Sequence, residues 1–207
     1  MRPFTIMVNQ LNYELFEITD NFVYGRIQIP DMIALANEID QEASCAEFEP
    51  ASIGNDTDDV EPYLDIRSSS VIWLKDSQEA MDVVQELVED INDTYFNLPI
   101  LDAPPEYQYT VYKDVDDHYD WHRDFYPEDS ETSDYKRNVS LSLCLSPAEM
   151  YQGAELFIKD GSNLNIRVFK MRFGDFLIFP SDVEHRVNAL RSGVRASLVV
   201  WYGQNLI

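Results

Sequence analysis

Two of the three histidines of this chain lie in one short segment, DDHYDWHRDF. In that segment His122 and Asp124 are separated by one residue, so on a strand both side chains would project to the same side. His185 follows 61 residues after Asp124 (185 − 124), across several predicted strands, and a closed antiparallel barrel can bring such positions back into contact. The pattern predicts that His122, Asp124 and His185 bind one metal ion.

The types of these three residues favour one kind of metal chemistry. Two imidazoles and one carboxylate on one face leave adjacent coordination positions open, which is typical of non-haem Fe(II) oxygenases. A 2-oxo acid can chelate through its keto oxygen and carboxylate, and dioxygen can take the remaining position. A structural zinc site would need a fourth protein ligand. The HxD pattern alone is weak evidence, and it gains weight here from the third residue.

Arg195 is the candidate partner for the far carboxylate of such a co-substrate. It lies ten residues after His185, and a guanidinium can bind a carboxylate through two parallel hydrogen bonds. A buried ion pair is the alternative for an arginine considered alone. Arg195 shares its strand parity with Ser197 and Trp201, so this face of the last strand can line a cavity. Ser140 and Ser142 alternate with leucines in the same manner, and they predict either a cavity wall or a solvent-exposed face.

These residues lie among many short strand patterns. Residues 4–8, 13–18 and 23–29 and the segment SSVIWL are predicted strands, and the later ones are YQYTVYK, VSLSLCLS, AELFI, NIRVFK, FLIF, HRVNAL and VRASLVVWY. Two helices come before the long run of strands, which predicts a mainly β, α+β fold with a sandwich, barrel or jelly roll. At 207 residues, a single domain, 1–207, is expected, with supporting strands and helices in 1–105 and a catalytic core in 106–207.

Helix signals are found at two places. Pro30 occupies a favoured first-turn position for a helix that would bury Ile33, Ala36 and Ile39. Asp76 and Glu79 have the spacing of a capping box. The apolar stripe of this second helix is predicted to be Ala80, Val84, Leu87, Ile91 and Tyr95. Residues 46–63 are rich in acidic residues and turn formers and predict a solvated loop, and the polar stretch 125–136 predicts a lid or a surface loop.

The composition argues against several classes of partner. Lys and Arg number 15 against 38 Asp and Glu, for a net charge of −23, which repels nucleic acids and anionic lipid surfaces. The two cysteines, Cys45 and Cys144, have no metal or redox spacing. The sequence begins without a signal-peptide pattern and has no apolar run approaching the ~18 residues of a membrane span. We therefore expect a cytoplasmic protein that binds neither nucleic acid nor membrane; its oligomeric state is left open.

Residues 107–201 resemble the catalytic domain of the prolyl 4-hydroxylase-like branch of the 2-oxoglutarate/Fe(II) oxygenases, whose fold is a double-stranded β-helix or jelly roll. The matching pieces are Tyr112 ahead of HYDWHRD, RNVSLSLCLS, YQGAELFI, GDFLIFPSDVEHRV and GVRASLVVWY. SSVIWL and the preceding Arg67 resemble the N-terminal part of bacterial and viral members. The chain departs from many relatives in its Asp-rich turn, KDVDD, where they have glycine.

The resemblance implies a complete set of site residues and cofactors. His122, Asp124 and His185 would be the iron ligands, Arg195 would anchor 2-oxoglutarate, and the Tyr112 hydroxyl would be a further contact to the co-substrate. Fe(II), 2-oxoglutarate and dioxygen would be required, with ascorbate as a further candidate cofactor. The N-terminal helices would pack on the outer sheet.

The predicted activity is hydroxylation of a C–H bond, with a prolyl residue in a peptide or protein as the acceptor that the resemblance favours. A free amino acid or other small metabolite is the alternative acceptor. A jelly-roll protein that binds metal without turnover is the alternative from outside the enzymes, and it would be expected to lack a ligand or the anchoring arginine.

Overall fold

Sixteen strands and two helices make up the described part of the chain. The computed structural model describes residues 4–8, 11–51, 66–100, 105–125, 135–161 and 165–206, with side chains from residue 11 onward. The helices are α1 (Ile29–Ala43) and α2 (Gln78–Ile91), and a π-helical turn, Asn92–Phe96, follows α2. The strands are β1 (Phe4–Val8), β2 (Leu11–Ile18), β3 (Val23–Ile27), β4 (Glu49–Pro50), β5 (Arg67–Ser68), β6 (Ser70–Trp73), β7 (Glu106–Tyr112), β8 (His118–His122), β9 (Tyr135–Cys144), β10 (Tyr151–Gly153), β11 (Leu156–Asp160), β12 (Asn165–Phe169), β13 (Asp175–Pro180), β14 (His185–Val187), β15 (Leu190–Gly193) and β16 (Arg195–Asn205).

Nine of the strands form one large sheet in the order β1-β2-β3-β13-β9-β16-β7-β6-β4. The alternation of leucine and serine side chains along β9 shows which face of this sheet the helices cover. Leu141 and Leu143 are fully buried in the core that also contains the apolar faces of α1 and α2, so the helices cover one face. Ser140 and Ser142 are buried on the opposite face. The alternative in which these serines face solvent is therefore wrong.

A second sheet, in the order β12-β11-β14-β8-β5, lies against the serine-bearing face of the large one. An apolar cluster joins the two sheets, with Leu156, Ile158 and Phe169 from the second sheet and Leu177 and Phe179 from the first. β10 and β15 pair separately. The prediction of a mainly β, α+β fold with helices on the outer face of a sheet is confirmed by this arrangement.

The first helix buries a different stripe from the one predicted. α1 begins at Ile29 with Pro30 in its first turn, and it buries Met32, Leu35, Ala36, Ile39 and Ala43. Ile33 is 49% exposed, so its predicted burial is wrong. The sheet lies on the side of the helix marked by the 32–35–39 stripe, and Ile33 falls outside that stripe.

The second helix has the predicted stripe from Ala80 to Ile91 but a different cap, and Tyr95 lies beyond the helix in the π-helical turn, where it is partly buried. Ala80, Val84, Leu87 and Ile91 are buried. The N-cap residue is Ser77, and it makes no side-chain capping bond of its own. Glu42 from α1 instead accepts hydrogen bonds from the backbone N–H groups of residues 75, 76 and 77 and from the Ser77 hydroxyl. The predicted Asp76–Glu79 capping box is therefore wrong, because a carboxylate from another helix already binds those donors.

The two predicted loops lie mostly outside the described residues. In the segment 46–63, Glu49–Pro50 pairs with β6, which corrects the loop prediction there, and residues 52–63 are not described. Residues 126–134 of the predicted lid segment are likewise outside the described ranges. No helix in the described ranges is long and apolar enough to span a membrane.

Candidate metal centre

A cavity between the two sheets contains all of the predicted site residues. Its lining combines polar groups from the large sheet with the histidine-bearing strands of the second one. The lining residues are Arg67, Gln108, Thr110, Tyr112, Tyr119, His122, Asp124, Ser142, Leu156, Phe179, His185, Val187, Arg195, Ser197, Val199 and Trp201.

The two predicted histidine ligands come from neighbouring strands. β14 pairs with β8 so that His185 lies directly opposite His122, and the centroids of their rings are 4.1 Å apart. Asp124 has its carboxylate oxygens 3.8 Å from Nε2 of His122 and 3.6 Å from Nε2 of His185. One ligand atom from each of the three side chains lies within 4.8 Å of the others. The structure thus brings His185 together with His122 and Asp124, from which it is distant in sequence.

Asp124 is positioned differently from the sequence prediction. β8 ends at His122, so strand parity does not place the carboxylate. Its backbone N–H donates instead to the carbonyl of Ser181, 2.9 Å away, in the turn after β13. The same carbonyl accepts from the N–H of Phe125. The turn after β13 therefore holds the chain just beyond β8 and directs Asp124 back towards the histidines.

Backbone hydrogen bonds orient both imidazole rings. Nδ1 of His122 lies 2.7 Å from the carbonyl of Asp120, and Nδ1 of His185 lies 3.0 Å from the carbonyl of Val183. Because each Nδ1–H donates to a carbonyl, each Nε2 keeps its lone pair for a metal. Tyr119 stacks on the His122 ring at 3.4 Å between centroids, which fixes the ring further.

The electrostatics keep His122 and Asp124 in the forms that bind a cation. Burial, helped by the neighbouring His185, lowers the pKa of His122 to about 3, so its imidazole is neutral at pH 7. Burial alone would raise the pKa of Asp124, but His185 and His122 outweigh it and hold that pKa below its ordinary value. Metal binding requires neutral imidazoles and an ionised carboxylate.

The environment of one buried carboxylate oxygen shows whether these residues fit a metal. Oδ2 of Asp124 is inaccessible to solvent and has no hydrogen-bond partner in the described part of the chain. A buried carboxylate oxygen without a partner is costly, and a bound cation would compensate for it. Two nitrogens and one carboxylate oxygen are the donor set of the non-haem iron facial site. The residues present therefore fit Fe(II).

Arg195 is buried at the start of β16, where it is 1% exposed. Its guanidinium donates to the hydroxyl of Ser197 at 3.3 Å and lies 3.9 Å from the sulfur of Met171. Its Nε has no hydrogen-bond partner, and no carboxylate of the described residues lies within 4.0 Å of it. The alternative of a buried ion pair therefore finds no support among the described residues. A buried cation that lines a cavity without a counter-ion is suited to bind an anionic ligand.

Tyr112 lies directly opposite Arg195 in the pairing of β7 with β16. The Arg195 guanidinium carbon is 5.5 Å from the centroid of its ring. Burial raises the pKa of Tyr112, although Arg67 and Arg195 oppose the shift. The phenol is therefore protonated at neutral pH and can donate a hydrogen bond to a ligand that Arg195 holds.

Arg67 lines the same cavity, although its only signal in the sequence was the family resemblance of its segment. It is 8% exposed and donates to Gln108 at 2.8 Å and to Ser69 at 3.2 Å. Its guanidinium also lies 4.5 Å from the centroid of the Tyr119 ring. No spacing within the sequence relates residue 67 to residues 108 and 119. The contact with Tyr119 depends on the pairing of β5 with β8, and the hydrogen bond to Gln108 joins the two sheets.

The Asp-rich turn between β7 and β8 has an internal organisation of its own. Asp117 is buried, and its carboxylate accepts from the backbone N–H groups of Lys113 and Asp114 and from the hydroxyl of Ser68. Asp116 has a positive φ of 72°, a conformation in which Asp is tolerated as a substitute for glycine. The Asp-rich turn is thus ordered by its own hydrogen bonds and holds the start of β8.

Comparisons with known proteins agree with this geometry. Residues 107–203 match the family model described as the 2OG-Fe(II) oxygenase superfamily. The matched residues, just under half of the chain, are similar to this superfamily. A PKHD-type hydroxylase of Idiomarina loihiensis is 35% identical over 74 residues, which are 36% of this chain and 33% of that protein. The curated relatives are thus matched over about a third of their own length.

Solved structures establish the fold over a longer range than the sequence matches. A prolyl-4-hydroxylase from Pseudomonas putida has a TM-score of 0.67 at 23% identity, covering 89% of this chain and 93% of its own. A prolyl hydroxylase from Trichoplax adhaerens, solved in complex with a hypoxia inducible factor peptide fragment, has a TM-score of 0.66 at 18% identity, covering 90% and 84%. The predicted jelly-roll fold and the predicted resemblance to the prolyl 4-hydroxylase-like branch are confirmed. Fe(II), 2-oxoglutarate and dioxygen are the cofactors of this superfamily.

Proposed function

We propose that this chain is a 2-oxoglutarate- and Fe(II)-dependent dioxygenase that hydroxylates a prolyl residue in a peptide or protein. One observation carries the proposal. The cavity holds two imidazoles and a carboxylate within 4.8 Å of one another, together with the buried Arg195, which lacks a described counter-ion. The three side chains suit a metal that needs open coordination positions. The buried arginine suits a co-substrate that is a dianion.

Each residue has a specific part in this proposal. His122, Asp124 and His185 would hold Fe(II), which when bound supplies the positions where 2-oxoglutarate and dioxygen meet. Arg195 binds the far carboxylate of 2-oxoglutarate, and Tyr112 donates a hydrogen bond to the same co-substrate. The apolar groups of the lining exclude water from the reacting atoms. The overall reaction converts 2-oxoglutarate and dioxygen to succinate and CO2, with one oxygen atom transferred to the acceptor.

The prolyl acceptor is supported by the relatives rather than by the cavity alone. A PKHD-type hydroxylase and prolyl hydroxylases stand among the proteins similar to this chain, and one of them was solved with a bound peptide. We further propose that the described residues form one domain, because the apolar core joins α1 and α2 to β9 and β16. Ascorbate remains a predicted cofactor.

The metal site is tested by spectroscopy under anaerobic conditions. Wild-type protein with Fe(II) and 2-oxoglutarate is expected to show a visible charge-transfer band, since both must bind the same site. His185→Ala should abolish the band. His118→Ala is the matched control, because His118 does not line the cavity, and it should keep the band. A band that persists in His185→Ala would contradict the proposed ligand set.

The acceptor is tested by a screen that follows succinate formation and the addition of one oxygen atom by mass spectrometry. Proline-containing peptides are expected to be modified. Modification of free amino acids without modification of any peptide would favour the alternative of a small acceptor. An intact charge-transfer band with no oxygen transfer to any acceptor would instead favour the non-catalytic alternative.

A further inference from the structure

β12 is an edge strand of the second sheet. In the described part of the chain it pairs with β11 alone. Its residues from Asn165 to Val168 are exposed, with Ile166 at 49% and Val168 at 53%. The opposite edge strand of the same sheet, β5, is only two residues long. β12 has five residues and contains no proline, so its outer side offers a row of N–H and C=O groups to another strand.

The outward side chains of β12 end an ordered row that crosses the second sheet. Val168 lies opposite Phe157 of β11, and Phe157 lies opposite Arg186 of β14. The Arg186 guanidinium carbon is 4.5 Å from the centroid of the Phe157 ring and 5.2 Å from that of the Trp121 ring. Residues that lie opposite each other share a face of the sheet. The row therefore reaches the sheet edge as an exposed β-branched side chain, which favours another β-branched residue beside it.

Arg167 is the charged residue of β12. A charge that points inward on an edge strand opposes pairing, because a second strand would cover it. Arg167 shares its parity with Phe169, which is buried between the sheets, so it points towards the large sheet. There its guanidinium lies 2.7 Å from the carboxylate of Glu17 on β2. A strand that pairs with β12 would therefore cover an ion pair and not a lone cation.

The charges around β12 allow a second copy of the chain to approach. Two molecules that each have a net charge of −23 repel each other. Beside β12, however, Arg167 is paired with Glu17, and Lys159 on β11 is paired with Glu184. The border of this strand thus lacks the excess of negative charge that the chain has as a whole. A second copy is repelled less here than at an acidic surface.

The sequence of β12 is self-complementary about Arg167. If a two-fold axis relates two antiparallel copies of the strand at this residue, Ile166 of each copy lies opposite Val168 of the other. These β-branched pairs continue the outer row of both sheets. On the inner face the two Arg167 side chains lie opposite each other, and each brings its own Glu17 as a counter-ion. The geometry of the strand therefore favours a second copy over an unrelated peptide.

We propose that β12 pairs with β12 of a second copy of this chain, with the two-fold axis at Arg167, and joins the two second sheets into one continuous sheet. The exposed pairs of Ile166 with Val168 supply the apolar contacts, and the strand edges supply the hydrogen bonds. The dimer is independent of the proposed activity, because the residues of β12 do not line the cavity.

Sedimentation equilibrium of the full chain tests for the dimer. NaCl at about 300 mM shortens the Debye length to about 6 Å and so screens the net repulsion. Between about 1 and 200 μM protein we expect a monomer–dimer equilibrium, since a small interface binds weakly. Val168→Asp places a charge opposite Ile166 and should raise the Kd about tenfold or more. Val115→Asp is the matched control, because Val115 is 68% exposed and lies outside β12, and it should keep the wild-type Kd.

Cysteine cross-linking tests the register of the pairing. Cys45 is exposed and Cys144 is buried, so the variants are made with Cys45→Ser. Arg167→Cys would place two thiols directly opposite each other, with their Cα atoms about 4.5 to 5.5 Å apart, within the span of a disulfide. Mild oxidation should therefore give a covalent dimer. In Lys170→Cys the two thiols would lie roughly 20 Å apart along the strands, and no covalent dimer is expected.

Three results would overturn the proposed dimer. The first is a monomer at every concentration, which is the expected result if a different protein pairs with β12. The second is a dimer whose Kd is unchanged in Val168→Asp or rises equally in Val115→Asp. The third is failure of Arg167→Cys to form the disulfide, or equal cross-linking of Lys170→Cys. None of these results bears on the metal centre, which the charge-transfer band reports separately.

Discussion

Arg195 illustrates how much of the site depends on single residues. It is buried, it has no described carboxylate partner, and its contacts include a hydroxyl, a thioether and the ring of Tyr112. A cation kept in such an environment is expensive unless an anion joins it. The distal carboxylate of 2-oxoglutarate would supply that anion, so the binding energy of the co-substrate should depend strongly on this side chain.

We therefore expect Arg195→Ala to weaken 2-oxoglutarate binding at least 30-fold, since loss of one partner of a buried charge pair costs about 2 kcal/mol or more. Fe(II) binding should persist, because the metal ligands are untouched. Isothermal titration of the Fe(II)-loaded protein with 2-oxoglutarate under anaerobic conditions measures the effect. Arg167→Ala, which removes an exposed arginine paired with Glu17, should bind 2-oxoglutarate as the wild type does. Equal affinity in Arg195→Ala would count against its anchoring role.

Among single residues, the rare residue types could be recognised as site residues from the sequence, and the common residue types could not. His122, His185 and Asp124 stood out because the chain has only three histidines. Arg67 did not stand out on chemical grounds, since its partner Gln108 lies 41 residues away and its cavity position follows from strand pairing. Asp117 was visible only as one acid of an Asp-rich turn, and its buried hydrogen bonds became evident from the folded turn.

The N-terminus of α2 shows a comparable limit at the scale of elements. The apolar stripe of the helix was predictable, because periodicity is a property of the local sequence. The cap was not, because Glu42 and Glu38 come from α1 and bind the free N–H groups of the first turn of α2 from outside. The two helices are thus joined by carboxylate-to-backbone hydrogen bonds as well as by apolar contacts.

Removing the Glu42 carboxylate should destabilise the fold. Glu42→Ala leaves several N–H donors and the Ser77 hydroxyl without their acceptor, and we expect the free energy of unfolding to fall by about 2 kcal/mol. Urea denaturation at pH 7 measures it. Glu47→Ala is the control, since Glu47 is exposed in the same segment and its loss removes the same charge. A similar loss of stability in both variants would assign the effect to charge rather than to capping.

The Glu42 carboxylate also predicts that the stability of the fold depends on pH. Burial alone would raise the pKa of Glu42, but the hydrogen bonds from Ser77 and from the backbone of residues 75–77 outweigh it and hold that pKa below its ordinary value. A depressed pKa gives stability that is present above the unfolded value, about 4.3, and lost as pH falls through the folded value. Glu42→Gln should therefore lose less stability than the wild type between pH 5 and pH 3. Equal losses in urea titrations would refute this contribution.

For the whole molecule, the order of strands and helices along the chain was predictable from the sequence, and the pairing of the strands was not. The succession of short strands and two helices indicated a jelly roll, since each strand pattern is local. The sequence did not indicate that β2 and β3 extend the main sheet beside β13. That pairing brings Arg26 and Tyr24 to the fully buried carboxylate of Asp175, and contacts between residues about 150 positions apart leave no periodic signal.

Net charge acts at the scale of the whole molecule. With 38 acidic and 15 basic residues, mutual repulsion should destabilise the folded state at pH 7. We expect the Tm to rise by a few degrees when NaCl is raised from about 20 to 300 mM, because the Debye length then shortens from about 20 Å to about 6 Å. Differential scanning calorimetry measures the shift. At pH 4.2, the pI calculated from the sequence, the net repulsion vanishes and the same addition of salt should change the Tm little. An equal rise at both pH values would mean that NaCl acts through exclusion of its ions from the protein surface, and the acidic composition would then carry no net cost to folding.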